Sequence, residues 1–474
     1  MQPCFLAVDI GASSGRHIVG TVQDGKITLQ EVYRFENGVR RENGHLCWSI
    51  DALAAEVVNG LKAAHDAGYT PATIGIDTWA VDFVLLDADG QRIGDAVAYR
   101  DERTEGVRET LERDYGLTFA EHYARTGIQY QKFNTVYQLM ALKQEHPDQL
   151  AAAKTFLMVP DYLNYLLCGV AANEYTNAST TALVGADSKD WDDALIAMLG
   201  LPRDIFQSVK MAGTVLGHLT PEMQAKVGFD AEVILPATHD TGSAFLAVPA
   251  RDEFAAYLSS GTWSLLGVEN AAAITSADSC VANFTNEGGY EYRYRYLKNI
   301  MGLWMIQSVR RELGEQNGTR PSFPELIAAA KEAADFASCV DPNDSRFLAP
   351  TSMIAEVKAA CADTHQPMPQ TTGEVMQCIY NSLTQDYRRA TETLQALTGK
   401  TYTSLNIVGG GSQDGYLNQL TANATGLPVF AGPTEGTALG NLMVQFIHAG
   451  VFADLAEARA AIKRSFEIKE YNPQ

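Results

Sequence analysis

One pattern occurs twice in this chain and limits its fold more than any other. An apolar strand runs into a short glycine–serine turn and straight on into a second strand. The first copy is "FLAVDIGASSGRHIVGTV" at residues 5–22, and the second is "FAAYLSSGTWSLLGVE" at 254–269. After the first copy, "DGK" is a hairpin signal and "ITLQEVYRF" a third strand. Between the copies, helical spacing ("DALAAEVVNGLKAAHDAG", "FNTVYQLMALKQEHPDQL") alternates with strand patterns ("TIGIDTWAVDFVLLDADGQRI"). Beyond the second copy the chain is mostly helical, interrupted by the strand and triple glycine of "TSLNIVGGGSQDG". Identity between the copies is slight, but the plan is shared. It describes an α/β chain of two related lobes.

Length agrees. At 474 residues the chain exceeds what one hydrophobic core serves. The expected lobes are 1–248 and 249–474, with the boundary inside "LAVPARDEF" at 246–254. A formal charge of −21 argues against nucleic acid and anionic membranes as partners. It leaves room for a phosphate ligand, because backbone amides and magnesium can hold phosphates without a lysine cluster. The seven cysteines show no C-x-x-C pair and no zinc-like spacing, so reduced thiols in a cytoplasm are expected. Cys361 and Cys378 meet only if the segment between them folds back. No signal-peptide pattern opens the sequence, and no apolar run reaches transmembrane length. Nothing demands an oligomer, which makes a monomer the default.

Three turns are candidates for holding phosphate: "DIGASSGR" (9–16), "SSGTWS" (259–264) and "VGGGSQDG" (408–415). Glycine after a strand lets backbone N–H groups converge on an anion, and hydroxyls add donors. None is a Walker loop, which needs a lysine after its last glycine, and none has the dinucleotide-binding spacing. Each alone is as well explained by an empty tight turn; three together favour a nucleotide. Asp9, at the end of the first strand, is the candidate magnesium-side carboxylate, with an ordinary turn cap as the alternative. A different carboxylate, Asp240, sits in "ATHDTGSAF" (237–245) among residues small enough to admit a ligand. Placed against a hydroxyl, it could act as a general base. The alternative for His239–Asp240 is a satisfied structural pair. A serine hydrolase is disfavoured, since no G-x-S-x-G elbow is present.

The segments "VDIGASSGR", "IGIDTWAVDFVLLD", "VAYRDERT", "YTNASTTALV", "THDTGSA", "YLSSGTWSLLG", "TNEGG", "LKNIMGLW" and "IVGGGSQDGYLNQL" occur in this order. Together they resemble the FGGY family of carbohydrate kinases, from residue 5 to about 447, and within it the branch acting on L-rhamnulose. The resemblance implies an actin-like, ribonuclease-H-type ATPase fold in each lobe. It also implies ATP-dependent transfer, with Mg2+, to the 1-hydroxyl of L-rhamnulose. Position by position, it assigns ATP phosphates to Ala12, Ser13, Ser14, Gly15 and Arg16. Further nucleotide contacts fall on Thr262, Gln307 and Gly410. The sugar falls on Ala80, His239, Asp240, Thr241 and Asn299, with Asp240 as base and Asp82 next in line. Ala80 departs from the pattern, which has glycine there. Trp79 and Asp82 either shape the sugar pocket or belong to an ordinary strand. Asn299 and Gln307 are expected at the opening of one helix. The rival readings are a kinase for another ketose such as L-fuculose, or a catalytically silent actin-like sensor of sugar or nucleotide.

Overall fold

The computed structural model describes residues 3–474, which form two compact units. The first is the chain up to Ala247 together with Glu269–Tyr296 and Gly436–Ser465. The second is Val248–Val268, Leu297–Glu435 and Phe466–Gln474. The first unit thus takes two segments from later in the chain.

The first unit is built on β1 (Cys4–Ile10), β2 (Ser14–Gln23), β3 (Lys26–Glu36), β4 (Thr73–Thr78), β5 (Val215–His218) and β6 (Glu232–Ile234), in the order β5-β6-β4-β1-β2-β3. Every residue of β1 and β4 is buried, as central strands covered on both faces require. β1, β2 and β3 are antiparallel neighbours, while β4 runs parallel to both β1 and β6. Asp24 and Gly25 turn β2 into β3 with both residues left-handed (φ 51° and 70°), the two-residue hairpin that "DGK" implies. Helix α1 (Ile50–Asp66) buries Ile50, Leu53, Val57, Leu61 and Ala64 at helical spacing. Its Gly60 has no side chain because the His17 ring of β2 fills the space: an added Cβ would lie 2.1 Å from Cε1.

The second unit repeats the plan. Its strands are β7 (Ala255–Ser260), β8 (Trp263–Asn270), β10 (Tyr294–Met301), β11 (Ser404–Val408), β12 (Val429–Ala431) and β13 (Lys469–Tyr471), while β9 (Thr285–Gly288) lies in a segment of the first unit. The order is β10-β8-β7-β11-β12-β13. β7 pairs antiparallel with β8 and parallel with β11, β12 follows in parallel, and an antiparallel edge strand closes the sheet. In the first unit β1, β2, β4, β6 and β5 take those same places. The repeated motif read from the sequence is therefore a duplicated sheet.

Helix α2 (Asp240–Leu246) follows β6, and the second unit carries the long helix α3 (Thr372–Thr398), capped by Thr371 and Glu374, and α4 (Gly415–Thr425). The Sγ atoms of Cys361 and Cys378 lie 3.7 Å apart in that unit's core as free thiols. Helix α5 (Gly436–His448) returns to the first unit. No helix among the described residues is long and apolar enough to cross a membrane.

Candidate active site

Three carboxylates gather at the C-terminal ends of the first unit's parallel strands, where open α/β sheets carry their ligands. Asp9 and Asp77 are register partners on β1 and β4. The next pair along is Ile10 and Thr78, and Thr78 is bridged in parallel to His239, which delivers Asp240 beside them. Across the antiparallel side, Asp9 faces Arg16 on β2, and the Nε and Nη2 atoms of Arg16 donate to Asp9 Oδ2 at 3.0 and 2.9 Å.

Asp77 is fully buried. Its Oδ2 accepts a 2.6 Å hydrogen bond from Asn441 Nδ2 on α5, while its Oδ1 has no hydrogen-bond partner. Asn441 also donates to Gly75 O, and Gln445, one turn on, braces Asn441 Oδ1 and Leu6 O. Burial, followed by the negative charge of Asp9, pushes the Asp77 carboxyl well above the usual carboxylate range. Nothing in the sequence reading singled out Asp77. The available signal was that "AVDIG" and "GIDTW" are both buried strands ending in an aspartate.

Asp240 is the first residue of α2. Glu174, wholly buried, holds the approach. Its Oε2 accepts from the backbone N–H of Thr176 and Thr238 and from both their hydroxyls, and Thr176 Oγ1 then receives His239 N–H at 3.2 Å. The small residues of 237–245 also have a use besides admitting a ligand. A Cβ on Gly440 of α5 would fall 1.7 Å from Ser243 O, and one on Gly242 would fall 3.3 Å from Ala237 and Thr176. Gly440 thus lets α5 pack almost backbone to backbone on α2, and Gly242 lets α2 fit against Ala237 and Thr176. The Asp240 side chain remains 32 % exposed. The hydrogen bonds it accepts, from Thr241 N (2.5 Å) and Thr241 Oγ1 (3.1 Å), both go to Oδ1. Desolvation, aided by the charge of Asp9, raises its carboxyl above the ordinary value.

The segment Trp79–Asp82 is no strand. Asp82 N donates to Ala80 O at 2.9 Å around Val81, whose φ of 67° is a strained γ-turn conformation for a β-branched residue. Thr135 and Gln138 pin the Val81 carbonyl. The turn engages the Ala80 carbonyl. Asp82 is unsuited to the role of reserve base: Oδ2 accepts from the indoles of Trp48 (2.6 Å) and Trp79 (3.0 Å) and from Tyr99 N, and Oδ1 from Gln138. It fastens the two indoles, whose ring centroids are 4.0 Å apart with the planes tilted by 35°. Burial still lifts its carboxyl to about 6.

Ala12 and Ser13 form the β1–β2 turn, in which Gly11 N donates to Ser14 O and Asn37 clasps both arms. Gly15 is glycine of necessity, since a Cβ would lie 2.1 Å from the Phe35 ring. Thr262, Asn299, Gln307 and Gly410 belong to the second unit. Asn299 lies on β10 and not on the helix of Gln307, which begins at Trp304; its buried Oδ1 has no partner. Thr262 O receives Gly302 N and Trp304 N, so the β7–β8 turn abuts the start of that helix. Of the three consecutive glycines, Gly409 and Gly411 press on Ser260, and Gly410 faces open space.

The duplicated α/β sheet is the actin-like ATPase fold, and the family follows from comparison with known proteins. The N-terminal domain of the FGGY family of carbohydrate kinases matches residues 4–247 and its C-terminal domain matches residues 256–449. The chain belongs to the FGGY family of carbohydrate kinases. It is a sugar kinase that takes its phosphoryl group from ATP. Among curated proteins it is 49 % identical to the rhamnulokinase of Oceanobacillus iheyensis over 99 % of this chain and 98 % of that one. To the rhamnulokinase of Halalkalibacterium halodurans it is 50 % identical, over 98 % of each. Among solved structures, the ligand-bound xylulose kinase of Lactobacillus acidophilus superposes with a TM-score of 0.82 at 16 % identity, covering 100 % of this chain and 94 % of that one. The Plasmodium falciparum glycerol kinase with ADP gives 0.77 at 14 %, covering 100 % and 95 %.

Proposed function

We propose that the protein transfers the γ-phosphoryl group of ATP to the 1-hydroxyl of L-rhamnulose, giving L-rhamnulose 1-phosphate and ADP in the catabolism of L-rhamnose. Near-full-length identity to rhamnulokinases supports the substrate. One observation carries the chemistry: Asp240 has all its hydrogen bonds on Oδ1 and a partly exposed carboxylate beside Asp9 and Asp77. Oδ2 is then the atom that takes the hydroxyl proton as the new P–O bond forms. His239, Thr241, Asn299 and the N–H of Ala80 hold the sugar in line. The turn Ala12–Gly15 and Arg16 receive the phosphates, and Thr262, Gln307 and Gly410 the rest of the nucleotide.

Asp9 and Asp77 suit a magnesium ion. No group of three or more His, Cys, Asp or Glu among the described residues is arranged as a metal cage, but magnesium needs only one or two carboxylates beside phosphates and water. The unpartnered, buried Asp77 Oδ1 beside Asp9 is a position that a cation, or a water it carries, would satisfy. Bound there, the ion would neutralise phosphate charge. We place the enzyme in the cytoplasm, as a monomer with small-molecule partners only.

The test is ADP release measured over L-rhamnulose, L-fuculose, D-xylulose and glycerol. kcat/KM on L-rhamnulose should exceed that on glycerol and D-xylulose by at least roughly a hundredfold, because a site bonded to particular hydroxyls penalises analogues without them. Equal rates on glycerol would overturn the assignment, and no ketose-dependent release with any of the four would point to a catalytically silent sensor.

A further inference from the structure

Behind His239 lies a charged pair that the reaction as described leaves unused. Arg295 is 1 % exposed, and its guanidinium meets Glu287 Oε2 at 3.0 Å (Nη1), Gly288 O at 2.8 Å (Nε), and both Thr176 O at 3.5 Å and His239 Nδ1 at 3.0 Å (Nη2). The far side of the same imidazole, Nε2, is 3.5 Å from Asp240 Oδ1. All these residues belong to the first unit.

A guanidinium has donors only, so the ring atom it touches must accept. That places the lone pair of His239 on Nδ1 and the ring proton on Nε2, facing Asp240. Glu287 Oε2 is also 3.3 Å from Nδ1 and would favour the opposite tautomer. Its closer partner is the guanidinium, which cannot give up its proton. We propose that the Arg295–Glu287 pair positions the general base: it fixes the His239 tautomer so that Nε2–H points at Asp240 Oδ1 and Oδ2 is the oxygen turned to the sugar hydroxyl. With the other tautomer, two lone pairs would confront each other at 3.5 Å and the carboxylate would lose its orientation. A fully buried ion pair is a poor source of stability compared with apolar residues of the same volume, so a positioning role accounts better for its presence. The inference rests on reading Asp240 as the base.

The test uses the full-length protein labelled with 15N-histidine, with the His239 signals identified by their loss in His239→Gln. In the wild type the proton should be on Nε2. Arg295→Met leaves Glu287 as the only group facing Nδ1, so the proton should move to Nδ1. kcat should then fall by at least about tenfold, as for other residues that orient a catalytic group, with little change in the KM for ATP. Should that variant not fold, Arg295→Met/Glu287→Leu removes both charges. It should fold, show mixed tautomers and lose a comparable factor in kcat. A wild-type proton on Nδ1, or a folded double variant within about twofold of wild-type kcat, overturns the proposal. Failure of the base reading looks different: Asp240→Asn would keep near-wild-type kcat while the wild-type tautomer stayed on Nε2.

Discussion

Asp77 and Asp82 are five residues apart, both buried, and treated in opposite ways. Asp82 answers four donors, two of them indoles, and both of its oxygens are engaged. Asp77 has one donor and an oxygen with none. An unsatisfied buried polar atom costs on the order of 1–3 kcal/mol, a cost the fold has no structural reason to bear. Asp82, with both oxygens occupied, holds a scaffold together. Asp77, at the strand ends beside Asp9, has an oxygen left for something that arrives from outside. Asp240, with its hydrogen bonds on Oδ1 only, is of the second kind.

The largest expected effect tests that grouping directly. Asp240→Asn keeps the size of the side chain and removes its basicity, and kcat should fall roughly 10²–10⁴-fold with nucleotide affinity nearly unchanged. Steady-state kinetics with a nucleotide titration check it; retention of more than about a tenth of kcat would put Asp240 among the scaffold carboxylates instead.

Next comes the pair itself. Asp82→Asn can keep an oxygen on the indoles but sets its NH2 against the Gln138 Nε2 donor, and it should lower stability by about 2–4 kcal/mol at pH 7. Asp77→Asn replaces an ill-satisfied buried carboxyl. It should leave the melting temperature unchanged or higher while lowering activity roughly 10–100-fold. Equal losses of stability would erase the distinction. The Asp82 carboxyl also has a signed pH dependence. Its folded value of about 6 lies above the ordinary 3.8, so the folded state holds the proton more tightly. The wild type therefore loses roughly 3 kcal/mol from this group as pH rises from about 4 through 6. Asp82→Asn lacks that arm, so its deficit in denaturant melts should be greater at pH 4 than at pH 7.

The smallest effect concerns Ala80. Because the Val81 turn engages its carbonyl, a sugar contact falls to its N–H, which a methyl on Cα does not block. Ala80→Gly should change kcat/KM by less than about threefold, under about 1 kcal/mol. A larger change would mean that the side chain itself meets the sugar.

How far the sequence could be read follows the same division. The duplicated sheet was legible because strand–turn–strand is local, and Asp9 and Asp240 stood out because small residues surround them. Asp77 was hidden because its meaning depends on parallel register with β1, more than sixty residues away. Asp82 was misjudged as a reserve base because one of its partners, Trp48, comes from a distant turn of chain. The small residues around Asp240 were assigned wholly to the ligand because nothing local announced Gly440. Glu174 and Arg295 were unmarked for the same reason, and Glu287, inside "TNEGG", carried no role of its own. Each acts on a segment that the chain reaches only much later or has long since left.

That last fact bears on how the protein is made. Asn441, which clamps Asp77, and Gly440, on which α2 packs, lie in the chain beyond all but the last segment of the second unit. On the ribosome the first unit emerges first and waits, with the Asp77 carboxylate unclamped and one side of α2 uncovered, until nearly all the rest has been synthesised. Until then the unfinished first unit exposes apolar surface of the kind that makes incomplete folds prone to aggregate. The reaction centre is finished last, when α5 docks, so an interrupted chain carries the aspartates without their arrangement.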